Sequence, residues 1–333
     1  MSVAEKRIAV VGSGSWATAI VKILLNNVEK LNWWVREQEI AEHLVTWHHN
    51  PKYLSSVSFD TSRLFVSNDI EEVLRQSDVV LFCVPAAFLH SSVGHVKPSL
   101  LKDKIVISAI KGIVPEFNSI VLDYFRKQFK LQPQNFVVVS GPSHAEEVAA
   151  EKLTYLTVAS QTPRLAVVIA GLFSCRYIFA TTSDDIYGTE YGPVLKNIVA
   201  IASGIAASLG YGDNFQAVLI SNAIQEMERF VKAVHPIDRD IKSPVYLGDL
   251  LVTCYSRFSR NRTFGTMIGK GYSVKFAQVE MEMVAEGYYA AKSIKEINDE
   301  LGVYMPICES VYNILYKNRK PSAEMAELTG KLS

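Results

Sequence analysis

Three features of the sequence predict an α/β protein in which an N-terminal, mostly parallel sheet domain is followed by an all-helical C-terminal domain. Up to about residue 182, short runs rich in Val and Ile alternate with longer segments of helical period, the pattern of βαβ units. The first of these runs ends in a glycine-rich turn that opens a helix. Beyond Asp184 the strand-like runs stop, and helical stretches at about 190–209, 214–233, 274–300 and 304–317 take over.

In chain order the strand candidates are Arg7–Val11, Leu31–Val35, Asp78–Val84, Lys104–Ala109, Phe136–Ser140, Tyr155–Ala159 and Tyr177–Thr181. Several are apolar throughout instead of alternating, as strands covered on both faces are. A helix is expected over Ala17–Leu25, directly after the first strand, and His235–Asp249, with its two prolines, reads as a loop followed by a short helix. The expected domains are 1–188, binding a dinucleotide, and 189–333, carrying substrate and catalysis.

Composition narrows the function. A chain of 333 residues is long enough to bury two cores. Lys+Arg and Asp+Glu balance at 34 each, so no polyanion-binding surface and no nucleic-acid partner are expected. Apolar runs such as Ile198–Ala202 and Ala166–Phe173 fall far short of the roughly 20 residues that span a bilayer, and no apolar leader precedes the first strand. Cys83, Cys175, Cys254 and Cys308 have no metal-ligand spacing. They read as reduced thiols of a cytoplasmic protein with no metal.

The first strand ends in Gly12-Ser13-Gly14-Ser15-Trp16-Ala17, a GxGxxA fingerprint in its required strand–turn–helix context. Gly12 permits the tight turn, Gly14 lets backbone approach a pyrophosphate, and Ala17 allows close helix–sheet packing. The helix N-terminus then offers N–H groups to phosphates. The second strand runs into Trp34-Val35-Arg36-Glu37. Arg36 suits a 2′-phosphate and an adenine face, which points to NADP(H) or dual use, while Glu37 keeps NAD(H) open. A solvated arginine is the plain alternative.

Ligands of a doubly wound sheet bind outside the carboxyl ends of its strands. Val84-Pro85, Lys111-Gly112 and Gly141-Pro142-Ser143 all fall at such ends. Lys111 is either a cation for an anionic substrate or an ordinary surface lysine. In the helical half, Lys196 interrupts the apolar and small-residue stretch Pro193–Gly204 and shares a face with Ala200, Ser203 and Ala207. A buried ammonium needs partners and acquires a lowered pKa suited to acid–base work; otherwise it snorkels to a rim. Asp249 is a single carboxylate in Leu247–Thr253, placed to orient a lysine. Ser259-Arg260-Asn261-Arg262 gathers donors into an anion clamp or a solvated turn, and Glu286-Gly287 sits oddly within a helical pattern.

Taken in order, Gly12-Ser-Gly-Ser-Trp16, Trp34-x-Arg36, Lys111-Gly112, Ser140-Gly-Pro-Ser143, Leu195-Lys-Asn197, Leu247-Gly-Asp-Leu250 with Thr253-Cys254, Ser259-Arg-Asn-Arg262 and Glu286-Gly287 resemble the NAD(P)-dependent glycerol-3-phosphate dehydrogenase family nearly end to end. The resemblance implies a Rossmann-type domain with NADP or NAD, and a helical domain. It also implies a homodimer that reduces dihydroxyacetone phosphate, a small phosphate ester, to sn-glycerol 3-phosphate for phospholipid synthesis. It implies Ser15, Trp16, Arg36, Lys111, Ala145, Arg260, Val284 and Glu286 at the cofactor. Around the substrate it implies Lys111, Gly141, Ser143, Lys196, Asp249, Ser259, Arg260 and Asn261, with Asn197 and Thr253 beside them.

Two departures stand out. Gly141-Pro-Ser-His144-Ala-Glu146-Glu147 carries an acid where the family commonly has lysine, and Phe215-Gln216 replaces a small-then-basic pair. The expected chemistry assigns proton transfer to Lys196, carbonyl binding and like-charge repulsion to Lys111, and orientation of the lysine to Asp249. Rival readings are a related 3-hydroxy-acid or ketopantoate dehydrogenase, and a catalytically silent nucleotide sensor.

Overall fold

The computed structural model describes residues 6–256, 258–281 and 285–333. These form two compact units, one running to Ile110 and resuming over Val121–Ile186, the other combining Lys111–Ile120 with Tyr187–Ser333.

The first unit is built on eight strands: β1 (Ile8–Val11), β2 (Leu31–Trp34), β3 (Leu64–Ser67), β4 (Val79–Phe82), β5 (Ile105–Ser108), β6 (Phe136–Ser140), β7 (Thr154–Ala159) and β8 (Ile178–Ser183). Their order is β3-β2-β1-β4-β5-β6-β7-β8. Every neighbouring pair is parallel except β6–β7. β1, β4 and β6 are buried along their whole length, which is why they read as unbroken apolar runs. β1 has β2 on one side and β4 on the other, so the strand order reverses at its carboxyl end, the topological switch point.

Gly12 sits at that point with φ +137°, and a Cβ there would lie 2.5 Å from the Cys83 carbonyl oxygen, so only glycine fits. The helix that follows spans Ser15–Leu24, starting two residues before the expected Ala17 because Gly14 is the residue that caps it. β3 lies outside the expected strands. It is an edge strand whose four residues are all only partly buried, so its sequence lacks the dense apolar run that marks the interior strands.

The described part of the second unit contains no sheet strand. Its helices include Asp213–Val234, Asp249–Tyr255, Arg260–Gly269, Pro306–Tyr316 and Pro321–Thr329. The long helix Ile186–Ser208 carries Lys196. A π-helical turn, Pro244–Gly248, leads into Asp249, where the sequence reading places a loop and a short helix.

The expected continuous helix over 274–300 is broken. Val274–Glu280 ends in extended backbone at Met281, and Glu286–Leu301 starts from extended backbone at Ala285. The new start is anchored: the Gly287 N–H donates to Asn261 Oδ1 at 2.9 Å. Both halves keep a helical apolar period, so periodicity alone runs through the break.

Helices Ile186–Ser208 and Arg260–Gly269 cross with backbone against backbone. A Cβ on Gly204 would lie 2.0 Å from the Arg262 oxygen, and one on Gly265 would lie 2.1 Å from the Ile201 oxygen. The small residues thus set the crossing distance of the helix that bears Lys196.

Glu226 is buried on the helix Asp213–Val234, and its carboxyl oxygens accept from the N–H groups of Ile307 (2.6 Å) and Cys308 (3.3 Å) at the start of Pro306–Tyr316. Burial pushes its pKa up from 4.5 to about 7, against the lowering effect of those hydrogen bonds. The folded value lies above the unfolded one, so the native state holds the proton more tightly between these values. Its stabilising contribution is therefore complete below about pH 4.5 and is lost as pH rises through about 7. Urea midpoints at pH 5 and 7.5 should show a larger fall for the wild type than for Glu226→Gln. Equal falls in the two proteins would refute this assignment.

Candidate active site

In the first unit the fingerprint turn leaves its helix start uncapped by any side chain. The first N–H groups of that helix have no intrahelical acceptor. Among the described residues, the Trp16 indole N–H is buried without a hydrogen-bond partner. Glu37 ties the turn to the end of the second strand: it accepts from Ser13 Oγ at 3.0 Å and from Arg36 Nη2 at 2.5 Å. Burial raises the Glu37 pKa, but the hydrogen bonds from Arg36 and Ser13 outweigh it and hold the carboxyl below its usual range. Arg36, 62% exposed along its side chain, is thereby presented from a fixed anchor. An uncapped helix start, a glycine cradle and an orphan indole N–H suit a dinucleotide diphosphate, and Arg36 suits its adenosine end.

At the end of β6, Gly141 has φ +131°, and a Cβ there would lie 2.7 Å from the Tyr155 oxygen. Ser143 Oγ donates to the Gly141 carbonyl at 2.9 Å, and Ala145 is buried at the start of the short helix Ala145–Ala149. In the same stretch His144 is half-buried, and Glu146, the acid in place of the family's common lysine, is exposed.

The second unit gathers five of the predicted residues. Lys196 Nζ lies 2.5 Å from Asp249 Oδ1, and Lys111 Nζ lies 3.4 Å from Asp249 Oδ2. One carboxylate therefore bridges two ammonium groups, leaving a net positive charge. Lys196 is 5% exposed and Asp249 1%, so both are shielded from bulk water. The Lys196 pKa is lowered to about 8: burial lowers it most, Asp249 raises it, and Lys111 lowers it again. Asn197 Nδ2 donates to the Lys111 carbonyl at 3.1 Å, and Thr253 Oγ1 donates to the Asp249 carbonyl at 2.6 Å. These two side chains hold the backbones that carry the charged groups.

Ser259 caps the helix Arg260–Gly269, accepting from the Arg262 N–H at 3.3 Å. Arg260 is exposed, whereas Asn261 is buried with its oxygen on Gly287. A Cβ on Gly287 would lie 2.6 Å from the Asn197 oxygen and 2.9 Å from Asn261 Oδ1, so this glycine lets Asn197 and Asn261 close on one point. Glu286 precedes it as the first residue of its helix, and Val284 lies outside the described residues. Among the described residues no cluster of three His, Cys, Asp or Glu is arranged for a metal, and no helix is long and apolar enough to cross a membrane.

A shielded lysine whose pKa is lowered to about 8 beside a fixed carboxylate is built to give or take a proton. Comparison with known proteins identifies the setting. Residues 7–166 match the model for the NAD-dependent glycerol-3-phosphate dehydrogenase N-terminus, and residues 185–326 match that for the C-terminus. The protein named glycerol-3-phosphate dehydrogenase [NAD(P)+] from Syntrophotalea carbinolica is 37% identical over 96% of each chain. The chain belongs to the NAD-dependent glycerol-3-phosphate dehydrogenase family. A relative of the same name from Syntrophomonas wolfei is 34% identical over 97% of this chain and 94% of its own. The solved glycerol-3-phosphate dehydrogenase from Coxiella burnetii superposes with a TM-score of 0.90 at 28% identity, covering 98% of this chain and 99% of that one.

Two roles in this family member escaped the sequence reading. Glu37, considered only as a ribose ligand, is the link between Ser13 and Arg36. Gln216, set aside as a departure without chemistry, is buried and hydrogen-bonded to Ser203 at 2.5 Å. A polar residue in an amphipathic helix carries no sequence signal of that kind, because its burial depends on neighbours distant in the chain.

Proposed function

We propose that the chain reduces dihydroxyacetone phosphate to sn-glycerol 3-phosphate with NADH or NADPH, and that Lys196 delivers the proton. The observation that carries the mechanism is the Lys196–Asp249–Lys111 arrangement within a family defined by this reaction. When bound, the nicotinamide supplies a hydride for the ketone carbon. Everything else falls to side chains. Lys196, with a pKa of about 8, is largely protonated at neutral pH and gives its proton to the carbonyl oxygen as negative charge develops there. Asp249 holds the ammonium in place, and Lys111 adds positive charge that favours release of the proton.

Ser259, Arg260 and Asn261 are assigned to the phosphate, with Asn197, Thr253, Gly141 and Ser143 shaping the substrate site. Gly12, Gly14, Ser15, Trp16, Arg36, Ala145, Val284 and Glu286 are assigned to the cofactor. The proposed domain roles are mainly dinucleotide binding for 1–188 and mainly substrate binding and catalysis for 189–333. The resemblance supports a homodimer feeding glycerophospholipid synthesis, and four cysteines without a disulfide suit the cytoplasm.

A substrate panel tests this reading. Dihydroxyacetone phosphate should be reduced with kcat/KM at least about a hundredfold above ketopantoate or a 3-keto acid, since a carboxylate has fewer acceptor oxygens than a phosphate and leaves part of the donor set unpaired. Preference for a carboxylate substrate would move the chain to the rival reading, and cofactor binding without turnover would favour a sensor. Arg36→Ala should lower kcat/KM for NADPH about tenfold relative to NADH, the loss of a charge-assisted contact. An unchanged NADPH/NADH ratio would take Arg36 out of cofactor selection.

A further inference from the structure

The helix Asp249–Tyr255 is fastened to the helix Ile186–Ser208 at both ends. At one end Asp249 pairs with Lys196 at 2.5 Å. At the other, Ser203 Oγ donates to the Cys254 carbonyl at 3.0 Å. That carbonyl belongs to the last turn of a helix, where no intrahelical donor reaches it. The Ser203 hydroxyl in turn accepts from Gln216 Nε2 at 2.5 Å, a donor reaching in from the third helix, Asp213–Val234. Ser203 and Cys254 are 0% exposed and Gln216 is 8% exposed, so water does not substitute for these bonds.

Ser203 stands about two turns along the helix from Lys196, on the same face. A short rigid helix held at one point pivots, and held at two points it does not. We propose that Gln216 and Ser203 form a positioning relay that holds the helix Asp249–Tyr255, and with it the Asp249 carboxylate, against Lys196. The inference rests on the reading of Lys196 as proton donor. It also gives a physical role to Gln216, one half of the Phe215-Gln216 departure from the family pattern.

The titratable groups acting most strongly on Lys196, among the described residues, are Asp249, Lys111 and Cys254. Burial pushes the Cys254 thiol up to about 12, so it stays neutral and the balance lies between Asp249 and Lys111. If the carboxylate loosens, its raising influence weakens while burial and Lys111 still lower the lysine. Proton donation then fails at a lower pH.

The test is the pH profile of kcat for ketone reduction in Ser203→Ala, in Gln216→Met, which keeps side-chain volume without the donor, and in the double variant. Each single variant should lose about tenfold in kcat with KM changed less than about twofold, as expected for a misplaced catalytic group. The high-pH midpoint should move about half a unit or more toward acid. Because the two residues act in series, the double variant should be no worse than Ser203→Ala. An unmoved midpoint, or a loss of kcat by the same factor at every pH that tracks a fall in Tm, would overturn the relay and leave these residues as packing. Absence of dihydroxyacetone phosphate turnover in the unsubstituted protein would instead defeat the activity reading, and the relay with it.

Discussion

Lys196→Ala is expected to lower kcat for dihydroxyacetone phosphate reduction by about 10²–10⁴-fold, the contribution of a positioned general acid. KM should change little, because the phosphate is assigned to Ser259, Arg260 and Asn261. The fold should survive, since Asp249 keeps Lys111 as its partner at 3.4 Å and no unpaired buried carboxylate is created. In the wild type, kcat for reduction should decline as pH rises through about 8, where Lys196 loses its proton, and that limb should vanish in the variant. Near-wild-type turnover by Lys196→Ala would remove the lysine from the mechanism. Steady-state kinetics across pH 6 to 10 distinguishes these results.

The second large effect is expected from Gly265→Ala, a change of one methyl group that adds and removes no charge. The added Cβ would lie 2.1 Å from the Ile201 oxygen and 2.9 Å from the Ile201 carbonyl carbon, both of them backbone atoms. No rotamer relieves that contact, so the two helices must part. Overpacking of this kind costs about 1–3 kcal/mol and at times more. Ile201 lies on the helix of Lys196, so the shift should also reach the proton donor and lower kcat beyond what the unfolded fraction explains. Thermal unfolding with parallel kinetics measures both. Wild-type stability and activity in this variant would mean that the crossing is looser than the glycines imply.

The legible parts of the sequence are those whose physics is local. β1, β4 and β6 are interior strands covered on both faces, and their unbroken apolar runs announce it. β3 is an edge strand with four partly buried residues, and nothing local separates it from a loop. Lys196 and Asp249 were visible because a charge in an apolar stretch must find a partner. That each finds the other is a tertiary fact, though a pairing of opposite charges was the simplest solution available.

The break before Glu286 was not legible, because Gly287 is held by Asn261 and pressed against Asn197, neighbours contributed by other helices. Gln216 belongs to the same class. Its family position suggested a departure, and only its bond to Ser203 explains what a neutral donor does there. Sequence thus revealed the groups that must pair, and structure supplied the second tier of bonds that set their geometry.

The central claim is hydride delivery to the ketone carbon of dihydroxyacetone phosphate. The most direct measurement supplies NADH or NADPH dideuterated at C4 of the nicotinamide, and analyses the product by mass spectrometry and NMR. The account expects sn-glycerol 3-phosphate bearing deuterium at its carbinol carbon, formed with one or both cofactors. Unchanged dihydroxyacetone phosphate, or product without deuterium at that carbon, would contradict it.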